Sequence, residues 1–82
     1  MPEVNRTDAR MAMLALIGEG KIRRDFRSLT LRYEHRETRL NLTARTAEQI
    51  NVLKWAREEN YEVVPTAKGR QVLAEYEKEQ QR

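Results

Sequence analysis

The sequence predicts a small α+β domain, in the order helix, antiparallel β-hairpin, helix, short strand, helix. Three observations predict this class. Apolar residues recur at helical spacing in separate stretches, they alternate with polar residues in a central stretch, and threonines stand where they would cap two helices. With 82 residues, of which 39% are hydrophobic, the chain has the size of a single domain, residues 1–82, with a small core.

The first helix is predicted from the apolar residues at positions 11–17 and from the signals on either side. Asn5 or Thr7 caps its start, because a short polar side chain accepts a hydrogen bond from a free amide of the first turn. Gly18 and Gly20 mark its end. Its apolar stripe is expected to lie in the core.

The β-hairpin is predicted from the alternation of apolar and polar residues in the segments 28–34 and 39–43. The antiparallel register that collects the large apolar residues on one face also sets opposite charges across from each other. Residues 35–38 form the connecting loop. The predicted pairs in this register are Glu34–Arg39, Tyr33–Leu40 and Leu31–Leu42.

The second helix is predicted over residues 46–60. Thr46 followed by Gln49 fits a capping box, in which each residue bonds the backbone of the other. Asn60 is a suitable left-handed stop. A short strand is then predicted over residues 61–64.

The last helix is predicted to begin after Thr66, which caps it. Gly69 in its first turn is expected to weaken it slightly. The polar tail, residues 77–82, is expected to fray. The apolar side of this helix and the small core together permit a homodimer.

Positive charge is concentrated in one block of the chain. Residues 21–45 hold eight basic and three acidic residues, a net charge of +5, whereas residues 1–20 and 46–82 each carry −1. Seven of the eight basic residues are arginine, whose planar guanidinium pairs bidentately with phosphate and with guanine edges. The block therefore points to a polyanionic partner, most simply nucleic acid.

Composition argues against catalysis and metal binding. The chain has no cysteine, and His35 and Ser28 are its only histidine and serine. The chain therefore has too few of the residues that form zinc or iron sites or a serine–histidine catalytic group. We expect no enzyme activity, no metal and no cofactor.

The sequence also predicts a cytoplasmic protein without a membrane partner. Residues 1–4 lack the basic region and following apolar run of a signal peptide. The longest apolar stretch, residues 11–17, is far shorter than the ~20 residues that span a bilayer.

The function predicted from these observations is duplex DNA binding, of regulatory or accessory type such as transcription regulation. An Arg-rich two-stranded ribbon fits the major groove, and the adjacent helix start at Arg45 suits a phosphate. The arginines predicted to contact phosphate are Arg23, Arg24, Arg27 and Arg45. Those predicted to lie nearest the groove are Arg32, Arg36 and Arg39.

A second architecture leads to the same class of function. The run Val-Val-Pro-Thr-Ala-Lys-Gly-Arg-Gln-Val-Leu at residues 63–73 resembles the junction of wing and last helix in winged helix-turn-helix regulators. There, a Leu-Thr-x-Lys-Gly-Arg run follows the wing. The resemblance implies that residues 46–60 are the recognition helix and that Arg45, Gln49 and Lys54 face DNA. The segment before residue 46, however, alternates like strands.

The competing function is a protein–protein interaction module, for example a small inhibitor or assembly factor without nucleic acid. Its arginines would then be interface anchors. The two functions predict different charge arrangements. One continuous positive face favours nucleic acid, whereas alternating Arg–Glu pairs favour a protein surface.

Overall fold

The computed structural model describes residues 6–81 and confirms the α+β class, with three helices and a four-stranded antiparallel sheet in that part of the chain. No helix within residues 6–81 is long and apolar enough to cross a membrane. The elements are α1 (Asp8–Gly18), β1 (Ile22–Arg24), β2 (Tyr33–His35), α2 (Thr43–Ala47) with a π-helical turn (Glu48–Val52) that continues it, β3 (Ala56–Glu59), β4 (Glu62–Pro65) and α3 (Ala67–Gln80).

The sheet has the strand order β2-β1-β4-β3, and every neighbouring pair is antiparallel. The β3–β4 hairpin turns at Asn60 and Tyr61, with φ of 51° and 67°. Two successive positive φ angles give the primed turn whose twist matches the strands it joins. Asn60 is therefore left-handed as predicted, but in a hairpin turn instead of a helix stop.

The predicted hairpin register is wrong. The partner of β2 is β1, with Arg24 opposite Tyr33, and residues 25–32 form a loop between them, here called the β1–β2 loop. Of residues 39–43, Asn41 alone makes a ladder contact, an isolated bridge to Glu34. Three of the side chains expected to fill the apolar face are exposed instead, whereas Tyr33 is buried as expected. The exposed three are Leu29, Leu31 and Leu40.

The physical reason lies in β1. Pairing with β1 joins β2 to a four-stranded sheet and places fully buried Ile22 in the core, whereas the predicted ribbon would have stood alone. An isolated two-stranded ribbon is marginally stable in water.

The second helix begins at Thr43 instead of Thr46 and its π turn ends at Val52, not at Asn60. Lys54 has a φ of 60°, which breaks the helix, and the following residues enter β3. Thr46 lies inside the helix with its side chain buried. Periodicity did not separate these states, because the apolar residues of a buried helix end and of a short strand look alike.

The caps of α1 and α3 are confirmed. The Thr7 hydroxyl accepts from the Arg10 amide (3.2 Å), and the Thr66 hydroxyl accepts from the Gly69 amide (3.1 Å). Asn5, the alternative cap, lies outside the described residues. At the other end, α3 continues through Gln80 into the tail that was expected to fray, whose last residue is not among those described.

The winged helix-turn-helix alternative matches at one end of the chain only. The β3–β4 hairpin followed by capped α3 has the order of a wing and its last helix. Between α1 and α2, however, the structure has β1 and β2 and no helix, so the helix-turn-helix pair is not formed by residues 6–81.

The core consists of two clusters of buried side chains. One lies between α1 and the sheet, and the other holds α1 against α3 and the segment after the π turn. The apolar side of α3 packs on the second cluster and is thus used within the monomer. The buried residues are Met13, Ile17, Ile22, Tyr33, Ala56 and Val63 in the first cluster, and Met11, Leu14, Leu53 and Trp55 in the second.

An ion pair ties α1 to the start of the π turn. The Arg10 guanidinium donates two hydrogen bonds of 3.0 Å to the Glu48 carboxylate. These hydrogen bonds hold the pKa of Glu48 below its ordinary value of 4.5. A carboxyl whose pKa is lowered by folding contributes stability above its unfolded pKa and loses it as the pH falls through the folded value.

We therefore expect Glu48→Gln to lower the free energy of unfolding at pH 7 by less than about 1 kcal/mol, because the pair is partly exposed. The difference from the parent should shrink as the pH falls below 4.5. Urea unfolding of both proteins at pH 7 and pH 3 measures it. A difference that is the same at both pH values would contradict this account.

Candidate nucleic-acid interface

The seven arginines predicted to bind DNA divide into two groups in the structure. Four form ion pairs with carboxylates: Arg23, Arg24, Arg27 and Arg36. Three form no ion pair with any residue from 6 to 81: Arg32, Arg39 and Arg45.

Arg23 and Arg27 both bind Glu34, whose carboxylate is almost completely buried on β2. Arg23 Nε lies 3.1 Å from one oxygen of Glu34, and Arg27 Nη2 lies 2.5 Å from the other. Arg27 also donates to Asp25, at 3.2 Å from Nε. A buried carboxylate needs such partners, because leaving it uncompensated in the interior is costly. These contacts give both arginines a structural role.

Arg24 is held in a second cluster across the sheet. Its Nη2 lies 2.8 Å from each oxygen of Glu58, and its guanidinium stands 5.9 Å from the centroid of the Tyr33 ring. The Tyr33 hydroxyl donates to Glu58 Oε1 at 2.8 Å. Burial, followed by this hydrogen bond, raises the pKa of Tyr33. Bidentate pairing and the ring face together fix the Arg24 side chain.

Arg36 joins the turn after β2 to the neighbouring part of the sheet. Its Nη2 lies 3.2 Å from Glu62 Oε1, and its Nη1 donates to the carbonyl of Gly20 at 3.1 Å. Lys21 pairs with Glu37 on the same surface. This part of the molecule thus shows the alternation of basic and acidic side chains expected of a surface that binds another protein.

The three remaining arginines lie at or near the edge where β2 meets the start of α2. Arg32 and Arg45 line an open groove of about 490 Å³ that has no acidic residue in its wall. Arg39, exposed and with a φ of 62°, stands two positions before Asn41 in the segment that forms one side of this groove. The remaining lining residues are Leu31, Asn41, Leu42, Thr43 and Ala44.

Backbone and side-chain hydrogen bonds fix this edge. The Leu42 amide donates to the carbonyl of Tyr33 (2.9 Å), and the Tyr33 amide donates to the hydroxyl oxygen of Thr43 (3.0 Å). The Asn41 side chain accepts from the amide of Thr43 (3.0 Å) and from its hydroxyl (2.7 Å). The groove is therefore built on a rigid strand edge, which limits the conformational entropy lost on binding.

The alternative in which a recognition helix presents Arg45, Gln49 and Lys54 to DNA agrees with the structure only in part. Arg45 and Lys54 are exposed, but Gln49 is buried and its amide donates to the carbonyl of Arg10 at 2.9 Å. The Gln49 side chain therefore serves the packing of α2 against α1.

Sequence reasoning missed the exposed apolar side chains near the arginines. Leu29, Leu31 and Leu40 were expected in the core, and their exposure follows from the changed register. Phe26 is also exposed and its ring centroid lies 4.8 Å from that of Tyr61. Alternation in residues 28–34 could not reveal this, because a short alternating segment has the pattern of a strand whether or not a partner strand is available to it.

Comparison with protein-family models, curated proteins and solved structures finds no match to this chain.

Proposed function

We propose that the protein binds duplex DNA, as a regulatory or accessory factor, through the groove between β2 and α2. The observation that carries the proposal is the grouping of arginines without ion pairs, as judged over residues 6–81. Two of them, Arg32 and Arg45, line the groove, and Arg39 lies in the segment beside it. Because no acid lines the groove, phosphate entering it meets positive charge and the polar side chains of Asn41 and Thr43.

The other arginines of the predicted set contribute to different extents. Arg27 keeps 56% of its side-chain surface exposed, but its partner Glu34 is buried and holds it to the fold. Arg36 keeps 43% of its side-chain surface exposed and its partner Glu62 is itself half exposed, so this carboxylate competes weakly with phosphate. An exposed ion pair is worth only about 0–1 kcal/mol. Arg23 and Arg24 bind carboxylates that are buried or half-buried. We therefore expect these two arginines to stabilise the fold and not to contact DNA.

The test is fluorescence anisotropy with a random-sequence duplex at several salt concentrations. Each phosphate contact contributes about −0.9 to the slope of log K against log salt, so Arg32→Ala, Arg39→Ala and Arg45→Ala combined should flatten the slope by about three. The matched control combines Lys68→Ala, Arg70→Ala and Lys78→Ala on α3. That control removes the same charge from exposed side chains that form no ion pair with residues 6–81.

We expect the control to bind DNA with nearly the parental slope. Equal slopes for the two triple variants would show that net charge, and not this groove, drives binding. Failure of the parent protein to bind duplex DNA at low salt would overturn the proposal altogether.

A second candidate function, a protein–protein interaction module, is favoured by two observations. Four arginines pair with carboxylates, and exposed apolar side chains, among them Phe26 and Leu40, lie within the basic block of residues 21–45. Self-association is its simplest form. Light scattering over a concentration series tests it, with Phe26→Ser expected to weaken any dimer and to leave DNA affinity unchanged.

A further inference from the structure

The most exposed large apolar side chain among the described residues is at the tip of the β1–β2 loop. Leu29 has a relative exposure of 106%, as much as in an extended chain. Because the side chain is fully exposed, its insertion into a partner would break no packing within residues 6–81. Scattered exposed leucines are ordinary on protein surfaces, but this one is carried by a loop with its own hydrogen bonds.

The loop around Leu29 is organised by its own polar groups. The hydroxyl oxygens of Ser28 and Thr30 lie 3.1 Å apart, directly on either side of Leu29, and the Thr30 amide donates to Ser28 Oγ at 3.2 Å. Arg32 Nε donates to Thr30 Oγ1 at 3.3 Å. The base of the loop is closed by the Asp25 amide, which donates to the carbonyl of Arg32 at 2.9 Å. Leu29 is thus held outward on an ordered turn.

Charge decides which partner suits this tip. Arg27 and Arg32 flank Leu29, and the one acid in the loop, Asp25, is bound to Arg27. Arg32 also lines the groove proposed to hold phosphate, and Leu31 lines it as well. The tip is thus an apolar side chain between two arginines, next to a basic groove. A partner that matches it is a polyanion with an apolar interior.

We propose that Leu29 is a wedge that enters the minor groove and inserts between two base pairs of the DNA, bending the duplex. This inference rests on the DNA binding proposed above. Apolar side chains unstack base steps in this way in proteins that bend DNA, while neighbouring arginines hold the backbone on both sides of the kink. Pyrimidine–purine steps unstack most easily, so a TA or CA step is the preferred site of insertion.

The test is a bending measurement by energy transfer between dyes at the two ends of a short duplex with a central TA step. A second duplex has an A-tract in its place, and the full-length protein is used throughout. The variants are Leu29→Ala, Leu29→Met as the conservative replacement, and Leu40→Ala as a matched control at another exposed leucine. Because the Leu29 side chain is fully exposed, all its variants should keep the parental fold.

We expect the parent, Leu29→Met and Leu40→Ala to bring the ends of the TA duplex together, and Leu29→Ala to bind without bending it. The affinity of Leu29→Ala for the TA duplex should fall about tenfold, as expected when the buried surface of one aliphatic side chain is lost. Its salt slope should not change, since no phosphate contact is removed.

The failures of the two proposals are distinguishable. If the parent binds DNA without bending it, or if Leu29→Ala bends it equally well, the wedge is overturned and the groove proposal stands. If the parent binds no duplex at low salt, both are overturned. A dimer in the parent that Leu29→Ala dissociates, without an effect on DNA bending, would assign Leu29 to a second copy of the chain and overturn the wedge.

Discussion

Replacing Gly69 with alanine is expected to lower the free energy of unfolding by about 3 kcal/mol or more, the range of severe core overpacking. A Cβ at this position would stand 1.9 Å from the carbonyl oxygen of Trp55 and 2.8 Å from its carbonyl carbon. Helix propensity predicts the opposite sign, because alanine is favoured over glycine by about 1 kcal/mol inside a helix. The steric clash is with backbone and is the larger effect.

The neighbouring backbone has little freedom to move away from the new methyl group. The Trp55 side chain is buried, its amide donates to the carbonyl of Gln49 at 3.0 Å, and its carbonyl accepts from the amide of Thr66 at 2.9 Å. Shifting α3 outward instead would separate the cap residue Thr66 and the apolar side of α3 from the core. Either adjustment breaks contacts that hold the second core cluster together.

Urea unfolding followed by circular dichroism measures the effect on Gly69→Ala. The control is Gly20→Ala, where a Cβ meets open space but φ is 74°. The left-handed conformation costs an L-residue roughly 1–2 kcal/mol, so the control should lose less stability. A Gly69→Ala protein as stable as the parent would show that the close approach to Trp55 is not tight.

The second large effect is expected when Glu34 loses both of its arginines. The double variant Arg23→Ala, Arg27→Ala leaves a buried carboxylate without an ion-pair partner within residues 6–81. Breaking a buried pair in this way costs about 3–5 kcal/mol when water stays out. Because the truncated side chains open a path for water to the carboxylate, we expect a smaller loss of stability, about 2–3 kcal/mol.

The discriminating variant adds Glu34→Leu to the same double replacement. With the charge removed and an apolar side chain in its place, most of the lost stability should return, as it does when all members of a buried ion pair become apolar. The order of stability is expected to be parent, then triple variant, then double variant. A triple variant less stable than the double would show that Glu34 is needed for something other than compensating charge.

The same variants separate fold from function. If Arg23 and Arg27 serve mainly to neutralise Glu34, the triple variant should regain stability while its DNA salt slope changes by about one at most, from the loss of exposed Arg27. If the salt slope instead flattened as much as it does in the triple variant of Arg32, Arg39 and Arg45, Arg23 and Arg27 would belong to the DNA interface.

The local signals in the sequence predicted some element types and not others: residues 39–43 hold no strand, and residues 56–59 form β3 instead of continuing a helix. Thr7 and Thr66 cap helices as expected because capping depends on residues within one turn of each other. The mixed α+β class and the first and last helices follow from such local patterns. The register of the hairpin did not follow, because alternation gives each strand two faces but does not say which other strand it pairs with.

The arginines show the same division between what the local sequence predicts and what the fold decides. The sequence by itself determined that positive charge is concentrated in residues 21–45 and that arginine dominates it. Only the tertiary structure decided which of those charges remain available. Arg24 and Glu58 are 34 positions apart in the chain, yet the sheet brings them into bidentate contact, and a Coulomb interaction depends on that distance and on burial. Arg32 and Arg45 form no ion pair with a carboxylate of residues 6–81, because the fold brings none into the groove that they line.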